Sequence, residues 1–320
     1  MRLIALEEHV LPAEHADEVW GASRPPSPEA TDRVRDALAD LGEGRLAVMD
    51  EAGVDVQVLS LVAPGTQTAA AERAVPLTRE VNDRVAEVVR SRPDRFRALA
   101  SLPTQDPAAA AEEARRAVGE LGFCGVVLNG HTGGRFLDQP EFEPVLVEVE
   151  RLGVPMYLHP TYPPQEVVDV YFGGMDTAVG GALATAGWGW HVETGMHVLR
   201  MAAGGVFERH PGLQVVVGHM GENLPFSLVR ADRVLSPLMS GPRSLAEAVR
   251  GHVHLTISGY TTVPPLRCAL DVFGAGRVLF SADHPFGDSA EHARFLEQAP
   301  ISPADREKIA HVNAEALFGM

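Results

Sequence analysis

Several apolar runs in this chain end on residues that can bind a metal or move a proton. One ends Ala5-Leu6-Glu7-Glu8-His9, another Tyr157-Leu158-His159, a third Val217-Gly218-His219-Met220-Gly221-Glu222, and a fourth Phe280-Ser281-Ala282-Asp283-His284. If these runs are strands, residues two apart share a face. Glu7 and His9 then reach one point together, and Glu8 turns away. His159 and Asp283 complete a set of two imidazoles and two carboxylates. Nitrogen and oxygen donors of this kind suit Zn²⁺ and also Mn²⁺ or Mg²⁺, with positions left for water or substrate. A lone histidine at a strand end is more often a core or surface residue than a ligand. Polar residues gathered at the ends of four strands are harder to account for in that way. Buried unpaired carboxylates cost several kcal/mol, and no Lys or Arg stands at these strand ends to neutralise them. The economical expectation is one divalent metal ion held by Glu7, His9, His159 and Asp283.

Other reactive patterns are missing. There is no Gly-x-Ser-x-Gly elbow, no P-loop and no Cys-x-x-Cys. His191, His197, His210, His252, His254, His292 and His311 read as ordinary helix or surface-turn residues, and His15 as uninformative. His131 and His284 flank the mouth of the expected site.

These residues need a scaffold that brings distant strand ends together. Strands are expected over 3–7, 56–62, 97–102, 125–129, 155–159, 214–219, 253–258 and 278–283. Most are almost continuously apolar, as parallel strands buried on both faces are. Helical segments over 28–41 with 45–52, 69–92, 107–120, 141–152, 192–209, 224–235, 264–273 and 303–317 lie between and after them. Eight such alternations predict an α/β fold of the (β/α)₈ TIM-barrel type, in which chemistry sits at the C-terminal ends of the strands. The open doubly wound sheet is the rival, but no Gly-x-Gly-x-x-Gly follows the first strand. With 320 residues and a hydrophobic fraction of 45%, the chain fits one barrel over 1–320. A long loop insertion around 160–191, rich in glycine and carrying Tyr162, Tyr171, Phe172, Trp188 and Trp190, reads as a lid, a binding loop or an oligomer contact.

Charge and composition exclude some classes. With 27 basic and 43 acidic residues the net charge is −16, which disfavours nucleic acid and anionic membranes. A bound metal can still dominate the local field for an anionic substrate. No apolar run approaches the ~20 residues of a membrane span. Charges at Glu7 and Glu8 cut the first apolar run too early for a signal peptide, so a cytoplasmic protein with two buried, reduced cysteines is expected.

The ordered motifs resemble the amidohydrolase superfamily in its decarboxylase-like (amidohydrolase 2) branch. Ala5-Leu-Glu-Glu-His (5–9) is similar to the opening of the γ-resorcylate, 2,3-dihydroxybenzoate and 5-carboxyvanillate decarboxylases. So are the stretches 45–60, Ala63-Pro-Gly-Thr-Gln (63–67), His191-Val-Glu-Thr-Gly-Met-His (191–197), Gly218-His-Met-Gly-Glu (218–222), Phe280-Ser-Ala-Asp-His-Pro-Phe (280–286) and Asn313-Ala-Glu-Ala-Leu-Phe-Gly (313–319). The resemblance implies the same four ligands. Glu7, where the wider superfamily usually has the first His of His-x-His, favours the decarboxylase branch. The resemblance further implies that His219 faces substrate with Glu222 as its polar partner, and that Asn129, Arg230 and Phe286 line the pocket. It departs at the 161–190 segment, which matches no decarboxylase pattern, and at His284, where these enzymes often have Trp.

The expected activity is therefore metal-dependent, non-oxidative decarboxylation of a hydroxy-substituted aromatic carboxylic acid, with Asp283 carrying the proton. The alternative is a metal-dependent hydrolase of a lactone, ester or amide, which the same ligands would serve. A non-catalytic metal-binding protein is the second alternative. A small-molecule substrate and a homodimer or homotetramer are expected by the same resemblance.

Overall fold

The structure is a computed structural model that describes residues 1–20 and 28–320. Eight strands follow one another in space as they do in sequence. They are β1 (Ile4–Val10), β2 (Val56–Leu61), β3 (Phe96–Ser101), β4 (Gly125–Asn129), β5 (Met156–His159), β6 (Val215–Val217), β7 (Val253–Thr256) and β8 (Val278–Leu279). Each neighbouring pair is parallel. A bridge between Leu6 and Ser281, with Leu6 N–H donating to Phe280 O at 3.2 Å, joins β1 to the end of β8 and makes the (β/α)₈ barrel.

The apolar runs are explained by burial on both sides. Ile4, Leu6, Val58, Leu99, Val127, Tyr157, Val216 and Leu279 form the interior cluster, floored by Ala314 and Phe318. Ala5, Leu59, Ala98, Val126, Leu158 and Val217 belong instead to the layer between strands and helices. The helix Ala71–Ser91 shows what that layer demands: Ala74, Leu77, Val81, Val85 and Val88 are buried at three- and four-residue spacing.

Strand β1 departs from simple alternation. Ala5 pairs with Gln57 and Glu8 with Leu59, so Leu6 and Glu7 together oppose the single residue Val58. Glu7 takes up the extra residue with a left-handed φ of 61°. Leu6 and Glu7 thus both face inward, and Glu8 turns out. Glu7 and His9 meet, as expected, with the period of two intact across Glu7-Glu8-His9, while the bulge turns Leu6 to the same side.

Three expected strands end early. Strands over 214–219, 253–258 and 278–283 stop at Val217, Thr256 and Leu279, and beyond the first and the third the backbone turns left-handed at His219 and Asp283. The 160–191 segment is not a loop. It holds the helices Gln165–Tyr171 and Thr177–Ala184 and the start of Gly189–Ala203. Asp176 caps the second, accepting from Ala178 N and Val179 N at 3.0 and 3.3 Å. Such a cap contributes about 1 kcal/mol, which helps to offset the similar cost of Gly180 or Gly181 within the helix.

Behind β1 lies a buried polar brace. Glu8 accepts from Ala282 N at 3.0 Å and from Gln57 Nε2 at 2.9 Å. Arg45 donates to His9 O at 2.7 Å, Asp40 O at 2.8 Å, Ala37 O at 3.2 Å and Gln57 Oε1 at 3.2 Å. Burial pushes the Glu8 carboxyl up to about 8 and the Arg45 guanidinium down to about 10. Arg45→Leu strands these acceptors, and a loss of about 3 kcal/mol is expected in urea unfolding. A loss below ~1 kcal/mol would show the brace to be dispensable.

Candidate metal centre and active site

Glu7 is divided between two environments. Its Oε2 accepts from the hydroxyls of Tyr157 and Ser258 and from Thr256 Oγ1 at 3.2 Å. Its Oε1 is buried with no hydrogen-bond partner and lies 3.5 Å from His159 Nε2. His159 Nδ1 donates to Pro160 O at 2.8 Å, and a carbonyl can only accept, so Nε2 carries the lone pair. His9 Nδ1 lies 3.2 Å from Ser60 Oγ, and its buried Nε2 makes no hydrogen bond although Asp283 Oδ1 is 3.1 Å away. One donor atom from each of Glu7, His9, His159 and Asp283 falls within 4.8 Å of all the others.

The protonation tendencies agree with a cation site. Burial, reinforced by His9, drives the His159 imidazole down to about 3, so it is neutral and able to ligate. Burial raises the Glu7 carboxyl and the nearby Asp283 charge adds to this, while His219 and His9 oppose it. Burial would also raise Asp283, but the nearby imidazoles of His219 and His9 outweigh it and hold this carboxyl below its usual range. A divalent cation among these groups stabilises both carboxylates as anions. The unpartnered Glu7 Oε1 and His9 Nε2 and the N₂O₂ donor set fit a divalent metal.

The strand ends hold unusual backbone. Among the described residues the non-glycine positions with left-handed φ are Glu7, His219, Met220, Glu222, Asn223 and Asp283, in the bulge of β1 and beyond β6 and β8. Such conformations cost about 1–3 kcal/mol each and persist where surroundings over-determine them. Here Ser258 Oγ accepts from His219 N at 2.9 Å while donating to Glu7 Oε2.

His219 and Glu222 form a pair, with Nδ1 and Oε1 2.7 Å apart. His219 Nε2 faces Asp283 Oδ2 at 3.6 Å. Burial opposes charge on His219, yet the carboxylates of Glu222 and Glu7 outweigh it and raise the imidazole well above its usual value. Burial likewise opposes the Glu222 carboxylate, but His219 and His191 together hold it down at about 2. The reading of His191 as an ordinary histidine needs correction. It is buried, and its Nδ1 lies 2.6 Å from Glu222 Oε2. The two residues are 31 positions apart, so no local spacing signalled the contact.

A cavity of about 280 Å³ opens over these groups. His9, His159, His219 and Asp283 line one side, and Tyr162, Trp190 and Phe286 supply aromatic walls. Sequence reasoning placed Tyr162 and Trp190 in a segment read as a lid, a binding loop or an oligomer contact, and Tyr157, Thr256 and Ser258 it passed over. Phe286 stands at the mouth, 5.8 Å edge-on to the His9 ring. Asn129 is buried at the end of β4, with its N–H on Gln67 Oε1, and does not line the cavity. Arg230 is exposed on the helix Leu224–Leu235 and does not line it either. His284 packs behind the site, its carbonyl accepting from His9 N at 2.8 Å, and His131 donates to Tyr162 O at 3.1 Å.

The sequence profile of the amidohydrolase family matches residues 9–320. The chain belongs to this family. It is 39% identical over 330 aligned positions to the γ-resorcylate decarboxylase of Rhodococcus jostii (strain RHA1), covering 98% of each chain. The crystal structure of a 2,6-dihydroxybenzoate decarboxylase complexed with 2,6-dihydroxybenzoate superposes with a TM-score of 0.92 at 35% identity, covering 100% of both chains. A dihydroxybenzoic acid decarboxylase from Polaromonas sp. JS666, with bound manganese and the inhibitor 2-nitroresorcinol, also gives a TM-score of 0.92 at 35% identity, covering 99% of this chain and 97% of that one.

Gly218 tests the tightness of the metal centre. A Cβ there would stand 2.6 Å from Glu7 Oε1. Gly218→Ala is expected to weaken metal binding about tenfold or more while the fold persists, read by metal analysis beside a thermal melt. Undiminished metal content would show that Glu7 Oε1 is not a ligand.

Proposed function

We propose that this chain catalyses the metal-dependent, non-oxidative decarboxylation of a hydroxy-substituted aromatic carboxylic acid. The observation that carries the reading is the buried Glu7, His9, His159 and Asp283 set, with one unpartnered carboxylate oxygen, facing an aromatic-walled cavity beside His219. Relatives of the same fold and length are decarboxylases of dihydroxybenzoates. A cavity of about 280 Å³ is near the small end of ligand sites, in keeping with a single substituted ring.

Glu7, His9, His159 and Asp283 would hold one divalent ion, Mn²⁺ as in the Polaromonas relative or Zn²⁺, with Mg²⁺ less suited to the imidazoles. When bound, such an ion supplies Lewis-acid polarisation and a template for the substrate carboxylate and an adjacent phenol oxygen. The rest is done by the chain. Tyr162, Trp190 and Phe286 wall the ring off from water. His219, oriented by Glu222, steadies the substrate oxygen. Asp283, an anion at rest, takes a proton from the neighbouring His219 imidazolium and delivers it to the ring carbon that bears the carboxylate, forming a C–H bond. The C–C bond then breaks, its electron pair restores the aromatic ring, and CO₂ leaves. His219 Nε2, 3.6 Å from Asp283 Oδ2, is placed to supply the proton to that carboxylate. Phe286 contacts substrate at the mouth, whereas Asn129 supports the β4 end from behind.

Residues 1–320 act as one catalytic unit in this reading, and the setting is cytoplasmic. Among the described residues no helix is long and apolar enough to cross a membrane. Phe226, Val229 and Leu238 are exposed, as are Val170 and Tyr171. We take these surfaces, with Arg230 among them, as contacts of a homodimer or homotetramer. A monomer by light scattering at micromolar concentration would refute this.

Purified, metal-analysed protein screened against hydroxybenzoates should lose substrate absorbance with stoichiometric CO₂. Lactone or ester opening without CO₂ would replace the reading with the hydrolase one. Glu7 and the absence of a lysine at the end of β4, which closes on Asn129, argue against that outcome. Chelation should abolish turnover and Mn²⁺ or Zn²⁺ restore it. Asp283→Asn should abolish turnover with metal partly retained, and full activity in that variant would remove Asp283 from the proton path.

A further inference from the structure

We infer that His191 is a positioning residue, which holds Glu222, and through it His219, in register with the pocket wall formed by the 185–190 turn. This rests on the reading of His219 as the group that meets substrate. His191 is at the start of the helix Gly189–Ala203, 7% exposed, its ring 4.9 Å from that of His219. Its two ring nitrogens face two acceptors. Nδ1 lies 2.6 Å from Glu222 Oε2, and Nε2 lies 3.0 Å from Ala186 O. A backbone carbonyl only accepts, so Nε2 is the donor there. Glu222 Oε1 takes the other imidazole, His219 Nδ1, at 2.7 Å. Each oxygen of Glu222 is therefore occupied by one ring, and the carboxylate cannot rotate without releasing one of them. With Nδ1 engaged, His219 presents Nε2 to Asp283 and the cavity.

The other end of His191 holds the turn that walls the cavity. Thr185, Ala186 and Trp190 line the cavity. They belong to one tight turn, in which Trp190 N–H donates to Thr185 O at 3.2 Å and a Cβ at Gly189 would fall 2.1 Å from Ala184 O. A second contact docks the same helix on the same loop: a Cβ at Gly195 would stand 2.4 Å from Glu222 O. Displacement of the aromatic wall is thereby transmitted to Glu222, and a correctly seated wall holds His219 in its working orientation.

A double-mutant cycle tests the inference. His191→Phe keeps the ring volume and loses both hydrogen bonds. With a hydroxybenzoate that the wild type decarboxylates, kcat is expected to fall about 10–100-fold, with metal content unchanged and KM altered much less. His191→Gln, which retains a donor, should recover part of the loss. The double variant with Glu222→Gln should be no slower than Glu222→Gln alone, because His191 acts through that carboxylate. Wild-type kcat in His191→Phe, or effects that multiply with those of Glu222→Gln, would overturn the inference. A readout independent of turnover is NMR of ¹⁵N-histidine-labelled protein. Downfield imidazole N–H signals are expected from His191 and His219, and His191→Phe should remove one and shift the other. An unmoved His219 signal would overturn the inference even if the decarboxylase reading stood. Absence of CO₂ from every hydroxybenzoate with the wild type would sink that reading and leave the NMR test in force.

Discussion

The two oxygens of Glu7 set the terms for the whole active centre. One is saturated by hydroxyls from Tyr157, Thr256 and Ser258, side chains of β5, β7 and the residues just after β7. That leaves the carboxylate unable to turn and its other oxygen bare among His9, His159 and Asp283. A bare anion in a buried position is tolerable only if something positive completes it. The donors gathered around it are two imidazoles and a second carboxylate, a set that a divalent cation would complete. The bulge in β1 exists to serve this arrangement. Without the extra residue between Ala5 and Glu8, Leu6 and Glu7 would point to opposite sides of the sheet.

The cost of the arrangement falls on the backbone, and the barrel carries it. Left-handed residues in the bulge of β1 and beyond β6 and β8 aim Glu7, His219, Glu222 and Asp283 at a common volume. Parallel strands buried on both faces form a stiff base for such strain. Cross-links between neighbouring ends hold it in place. Ser258 touches Glu7 and His219 at once, and Glu8 ties β1 to Ala282, one residue before Asp283. The brace of Arg45, Gln57 and Glu8 makes the outward face of β1 as constrained as its inward one.

Above this rigid base sits the aromatic side of the cavity. The helix Gly189–Ala203 brings Trp190, and the stretch just after β5 brings Tyr162, over the donors. The base and this wall meet at His219. One side of that imidazole faces Asp283, and the other reaches, through Glu222 and His191, to the Ala186 carbonyl.

Local pattern in the sequence determined a good deal. Continuous apolar runs read as buried parallel strands, their polar ends read as the site, and Glu7, His9, His159 and Asp283 were legible as a possible donor set because each terminates such a run. Boundaries were less legible. Strands expected through His219 and Asp283 end at Val217 and Leu279, since nothing in residue type announces a left-handed turn that only neighbouring strand ends can enforce. Glycines at 180 and 181 suggested a loop, and Asp176 capped a helix instead. Asn129 and Arg230, carried over by resemblance to the pocket, stand behind it and outside it respectively. Closure of the barrel, the bulge that turns Leu6 to the same side as Glu7 and the pairing of His191 with Glu222 were decided by tertiary structure alone. Each depends on groups tens to hundreds of residues apart, whose contact is a property of the closed barrel and leaves no period in the chain.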